Sequence, residues 1–119
     1  MITNLPPQNF SIPAGYNEVV TFNVDPAVTP TLDDATVLWK VWQQNFGIPF
    51  GDPILEKAAP NITPIDSPLS FEVQMMTADT IALPPLNYYH EATILNAANE
   101  IIGGSWGIMT VTETEYRPT

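Results

Sequence analysis

Apolar and polar residues alternate along this chain in short runs, and prolines, glycines and asparagines separate the runs. In "EVVTFNV" (residues 18–24), Val20, Phe22 and Val24 share one face while Val19, Thr21 and Asn23 share the other. "ATVLWKVWQQ" places Val37, Trp39 and Val41 on one side and Leu38, Lys40 and Trp42 on the other, the lysine marking the wetter side. "LSFEVQM" turns Phe71, Val73 and Met75 inward and Glu72 and Gln74 outward. A period of two is the signature of a half-buried strand. The same period runs through "NYYHEATIL" and "IIGGSWGIMTVTET", which "NAANE" joins as an Asn-rich hairpin connection. Gly103 and Gly104 permit a bulge or a close backbone approach in that last strand. Shorter strands are expected at "NFSI", before a Pro-Ala-Gly turn, and at "ILEKA". "NFGIPFGDP" reads as a turn region and "DPAVTPTLDD" as a loop. "PNITPIDSP", with three prolines, is restricted to an edge or a connection, and "TADTIALPP" to a corner or crossover.

Strands at intervals of about 8–12 residues predict an all-β fold, an immunoglobulin-like antiparallel β-sandwich of about seven strands. Trp39, on the third strand, sits where such domains often bury a tryptophan. Tyr88 follows a Leu-Pro-Pro-Leu corner and opens the penultimate strand, as a tyrosine corner does. Ordinary aromatic packing would use both positions equally well. The length predicts one domain over residues 1–119, with residues 1–8 and 115–119 as flexible ends.

Composition supports this reading. Thirteen prolines leave little room for a helix of normal length, and a charged fraction of only 13% is low for helical solvent faces. Thirteen acids against Lys40, Lys57 and Arg117 give a net charge of −10. Phosphate backbones and anionic lipid surfaces repel such a chain, so neither nucleic acid nor membrane is an expected partner. No apolar run approaches the ~20 residues of a spanning helix, and "MITNLPPQNF" lacks the basic and apolar regions of a signal peptide. Synthesis in a cytoplasm is expected.

Catalytic parts are scarce. The chain has no cysteine and a single histidine, His90, in "YYHE". In a strand His90 and Glu91 point to opposite faces, so their adjacency is not a contact. His90 aligns instead with Tyr88, Ala92 and Ile94, the apolar set, which makes it a core residue rather than a base. Asp25, Asp33 and Asp34 could offer oxygen ligands to calcium, but without EF-hand spacing they read as turn formers. "GGSWG" lacks the lysine and the strand-to-helix context of a phosphate loop. No catalytic residue, metal or cofactor is therefore expected. Binding is better supplied. Trp42, Phe46, Phe50 and Tyr89 are candidates for exposed aromatics that anchor a partner protein. Trp106, between Gly104 and Gly107, either packs over the glycines or reaches a partner. The same aromatics on a sandwich face would also serve a carbohydrate-binding module.

Several segments, taken in order, resemble one family. "IPAGYNEVVTFNV" looks like an opening strand, glycine turn and second strand, and "LDDATVLWKVWQ" like a "(L)-T-G-A-x-V-x-W-x-V" stretch. "MMTADTIALPPLNYYHEATILNAANEI" with "GGSWGIMTVTET" is similar to a "D-T-x-x-L-x-x-G-x-Y-x-x-E" corner followed by the closing hairpin. The family is the amino-terminal immunoglobulin-like domain of phage baseplate upper proteins and related small prophage structural proteins. The resemblance spans roughly residues 10 to 114. Asp33-Asp34 stands in place of Thr-Gly, and Leu86-Asn87 in place of the glycine before the tyrosine. The resemblance implies no catalytic residues. It implies a virion-associated structural or adaptor domain that contacts other proteins of a phage-like assembly. Separately, the low charged fraction and the spare aromatics make homo-oligomerisation through a sheet face or edge strand an expected form of contact.

Overall fold

A computed structural model describes residues 7–26, 29, 31–66 and 69–113. The strands are β1 (Phe10–Pro13), β2 (Glu18–Asn23), β3 (Thr36–Asn45), β4 (Ile48–Lys57), β5 (Ile62–Asp66), β6 (Leu69–Met75), β7 (Asn87–Leu95) and β8 (Ile101–Thr112). One short helix, α1 (Thr77–Thr80), turns the corner between β6 and β7. The strands form two sheets, one ordered β1-β8-β7-β3-β4 and the other β2-β6-β5. The all-β sandwich expected from the alternation is therefore the fold.

Alternation decides what faces inward. Val37, Trp39 and Val41 on β3, Phe71, Val73 and Met75 on β6, and Tyr88, His90, Ala92 and Ile94 on β7 are all buried. Two details differ from the expected pattern. The described residues form eight strands rather than about seven, and β1 runs parallel to β8 from Phe10↔Met109 to Pro13↔Thr112. The alternation within a strand carries no information about the direction of its neighbour. "NFGIPFGDP" is also not simply a turn. Only Phe46 and Gly47, both at positive φ, form the two-residue loop, and β4 already begins at Ile48. Pro49, Gly51 and Pro53 are tolerated because β4 is an edge strand with a register shift opposite Val41 to Gln43. "PNITPIDSP" supplies β5, an edge strand as expected.

The tyrosine corner is present: the Tyr88 hydroxyl donates to the Pro84 carbonyl at 2.8 Å. In antibody domains the residue two places after this tyrosine is a cysteine, disulfide-bonded to the facing sheet beneath the buried tryptophan. Here that place holds His90, and the facing sheet offers Phe22. Their ring centroids lie 5.0 Å apart, with Trp39 at 6.0 Å from Phe22 and 5.8 Å from His90. Phe10 and Phe71 complete the cluster, at 5.6 Å and 5.3 Å from Phe22. A cluster of tilted and edge-on rings thus joins the two sheets at the centre of a chain without cysteine. Burying each large ring contributes about 1.5–3 kcal/mol.

The segment before β1 is tied to this centre. Gln8 donates its backbone N–H to the Trp106 carbonyl at 2.8 Å and exchanges two side-chain bonds with the Asn23 backbone, at 2.7 Å and 2.9 Å. Its own carbonyl lies 2.7 Å from His90 Nε2. Gly107 permits that approach, because a Cβ there would run into the Gln8 carbonyl and the His90 ring. The sequence reading placed Gln8 within a flexible end over residues 1–8. The remainder of that expectation, residues 1–6 and 115–119, lies outside the described residues.

Candidate functional site

The solvent face of the five-stranded sheet gathers three of the five aromatic candidates. Trp42 on β3 lies opposite Tyr89 on β7, and Tyr89 lies opposite Ile108 on β8, two residues from Trp106. The rings form a row across three neighbouring strands. Trp42 and Tyr89 have centroids 5.9 Å apart, while Tyr89 and Trp106 are 6.4 Å apart and within 23° of parallel. Trp42 and Tyr89 are half-buried, whereas Trp106 is 43% exposed. Trp106 therefore reaches outward rather than folding over its glycines. Counting the alternation back from the inward Met109 and Val111 gives the same side.

Glu91 stands beside this row. It lies opposite Trp106 on β8 and opposite Lys40 on β3, and its Oε2 accepts the Tyr89 hydroxyl at 3.2 Å. Burial, and then the neighbouring Glu91 charge and this hydrogen bond, push the Tyr89 phenol up to about 12. The phenol thus stays protonated and remains a donor to the carboxylate. Lys40 Nζ lies 3.8 Å from Glu56 on β4.

The other two candidates sit on the β3–β4 hairpin. Phe46, four residues beyond Trp42 along the chain, is 94% exposed at the tip, and its φ is 54°. A phenylalanine in the left-handed region costs of order 1 kcal/mol, and here no burial offsets it. The Gly47 N–H donating to Gln44 Oε1 at 2.6 Å helps hold the turn. Phe50 and Ile48 pair with Gln43 and Asn45, the alternation opposite to Trp42 and Gln44. They therefore occupy the other side of the hairpin and do not join the ring row.

The residues of "YYHE" divide as their alternation requires. His90 is fully buried, and both ring nitrogens are engaged. Trp39 Nε1–H donates to Nδ1 at 3.2 Å, so Nε2 carries the proton that it donates to the Gln8 carbonyl. Burial pulls its pKa down to about 4, against a smaller upward pull from the Gln8 hydrogen bond. A neutral imidazole with both nitrogens committed inside the core has no position from which to act on a substrate. Among the described residues no group of three or more His, Cys, Asp or Glu is placed to hold a metal ion, and Asp34 takes a left-handed turn conformation, φ 58°.

Sequence reasoning did not anticipate one further polar contact. Lys57, at the end of β4, is 8% exposed, and its Nζ lies 2.6 Å from Oδ2 of Asp79 in α1. The same oxygen accepts the Met76 N–H at 2.7 Å. The residues of this pair are separated in sequence by two strands, β5 and β6, and their loops, and nothing local links them.

Comparison with family models, with curated proteins and with solved structures finds no match to this chain. The resemblance to phage baseplate domains therefore rests on the motifs quoted above. Among the described residues no helix is long and apolar enough to cross a membrane.

Proposed function

We propose that this chain is a non-enzymatic structural or adaptor domain that makes protein–protein contacts through the solvent face of its five-stranded sheet. The observation that carries this reading is the row Trp42, Tyr89 and Trp106, left partly in water by a sandwich whose core is already filled without it. Rigid aromatics of this kind give much contact area for little lost entropy. Phe46 adds a further exposed ring at the hairpin tip, where its positive φ serves the two-residue turn and its side chain is 94% exposed. The engagement of both His90 nitrogens inside the core supports a role without catalysis. The motif resemblance supports a virion or tail-like assembly as the setting.

Affinity capture from a phage lysate tests the reading, with the wild type compared against the double variant W42A/W106A. The wild type is expected to retain a defined partner and the variant to lose it. Equal capture by both, or no partner for either, would overturn the proposal. Carbohydrate binding is a second reading, favoured by the near-parallel rings of Tyr89 and Trp106. A glycan array that gives no signal removes it.

A further inference from the structure

We propose that the partner presents a basic segment to this face, with an arginine head laid on the exposed ring of Trp106 and paired with Glu91. The inference rests on the face being a protein-contact surface and adds the chemistry of the contact. A cation is held best where an aromatic face and a counter-charge stand side by side. Trp106 and Glu91 are opposite each other in the β7–β8 register. The Tyr89 hydroxyl, which donates to Glu91 Oε2, holds the carboxylate beside the rings. A planar guanidinium can stack on an indole and fork to a carboxylate at once, which an ammonium cannot do.

The charge distribution favours the same occupant. Two lysines are the only lysine or arginine residues among the described ones. Lys57 is buried against Asp79, and Lys40 is drawn to Glu56 at 3.8 Å. Neither forms an ion pair with Glu91. The whole chain carries −10, so a second copy brings like charge to the face, while a basic segment brings the opposite sign and is steered toward it.

The test is a titration of 15N-labelled protein with the peptide Gly-Arg-Gly-Arg-Gly-Arg, read at the three tryptophan indole N–H signals. Trp42 and Trp106 are expected to shift. Trp39, buried and bonded to His90, stays in place and reports that each variant is folded. E91Q and W106A are each expected to weaken binding by about three- to tenfold, W106A being followed at Trp42. E72Q, which removes a charge from the solvent side of the other sheet, should change it by less than about twofold. Equal weakening by E91Q and E72Q would mean diffuse attraction to an acidic protein and would overturn the proposal. So would an absence of indole shifts. If W42A/W106A still loses its captured partner in that case, the contact surface stands and only the basic chemistry falls.

Discussion

Replacing His90 with phenylalanine is expected to lower stability at neutral pH by about 2–4 kcal/mol and to remove a pH dependence that the wild type shows between about pH 6.5 and 4. The volume is roughly kept, so the cost comes from two buried groups that lose their partners. Trp39 Nε1–H loses its acceptor, and the Gln8 carbonyl loses its donor. The pH effect follows from burial. In the unfolded chain the imidazole takes up a proton near 6.5, whereas in the folded protein it does so only near about 4. Between those values the unfolded state binds more protons, so wild-type stability rises with pH through the window and is complete above it. Falling from pH 6.5 to 4 costs the wild type ~3 kcal/mol that the variant does not lose. Denaturant unfolding of both proteins at several pH values should therefore show the gap between them closing as the solution is acidified. A gap that stays constant would mean that His90 is not held neutral by the core.

Lys57→Met is expected to cost about 3–5 kcal/mol, because it leaves the Asp79 carboxylate largely buried without its cation. For a chain of 119 residues that corresponds to a fall in melting temperature of roughly 10–20 °C. Asp79→Asn on its own strands the lysine and weakens the Met76 N–H bond that starts α1. The double variant removes both charges and should be clearly more stable than the sum of the two losses predicts, by about 2 kcal/mol. Thermal unfolding of the four proteins measures this coupling, and additive losses would show that the pair is not a buried unit. Lys40→Met, at the exposed pair with Glu56, should shift stability by less than about 1 kcal/mol.

Much of the fold was legible because half-buried strands write their faces into the sequence. The alternation in "ATVLWKVWQQ" and "NYYHEATIL" separated Trp39 and His90 from Trp42 and Tyr89 without any knowledge of their neighbours. Strand pairing was not legible. The parallel placement of β1 beside β8 depends on backbone bonds that leave no mark on side-chain choice. The candidate surface divides along the same line. Exposure of Trp42 and Tyr89 could be read from each strand, but their assembly with Trp106 into one row depends on the registers of β3, β7 and β8. Phe50 shows the converse, since the register shift in β4 carries it to the other side of the hairpin. The proline and glycine content of "NFGIPFGDP" hid a strand because edge strands tolerate what central ones do not. Lys57 was hidden because a lysine in an alternating run reads as solvent-facing until its distant partner is known.

The proposed contact surface is the solvent face of the five-stranded sheet, and site-specific photocross-linking tests it. Benzoylphenylalanine in place of Ile108, opposite Tyr89 in that face, is compared with the same group in place of Glu72, in the other sheet, within phage-producing cells. A discrete adduct with one polypeptide from position 108, and none from position 72, is the predicted result. Equal adducts from both positions, or none from position 108, would contradict it.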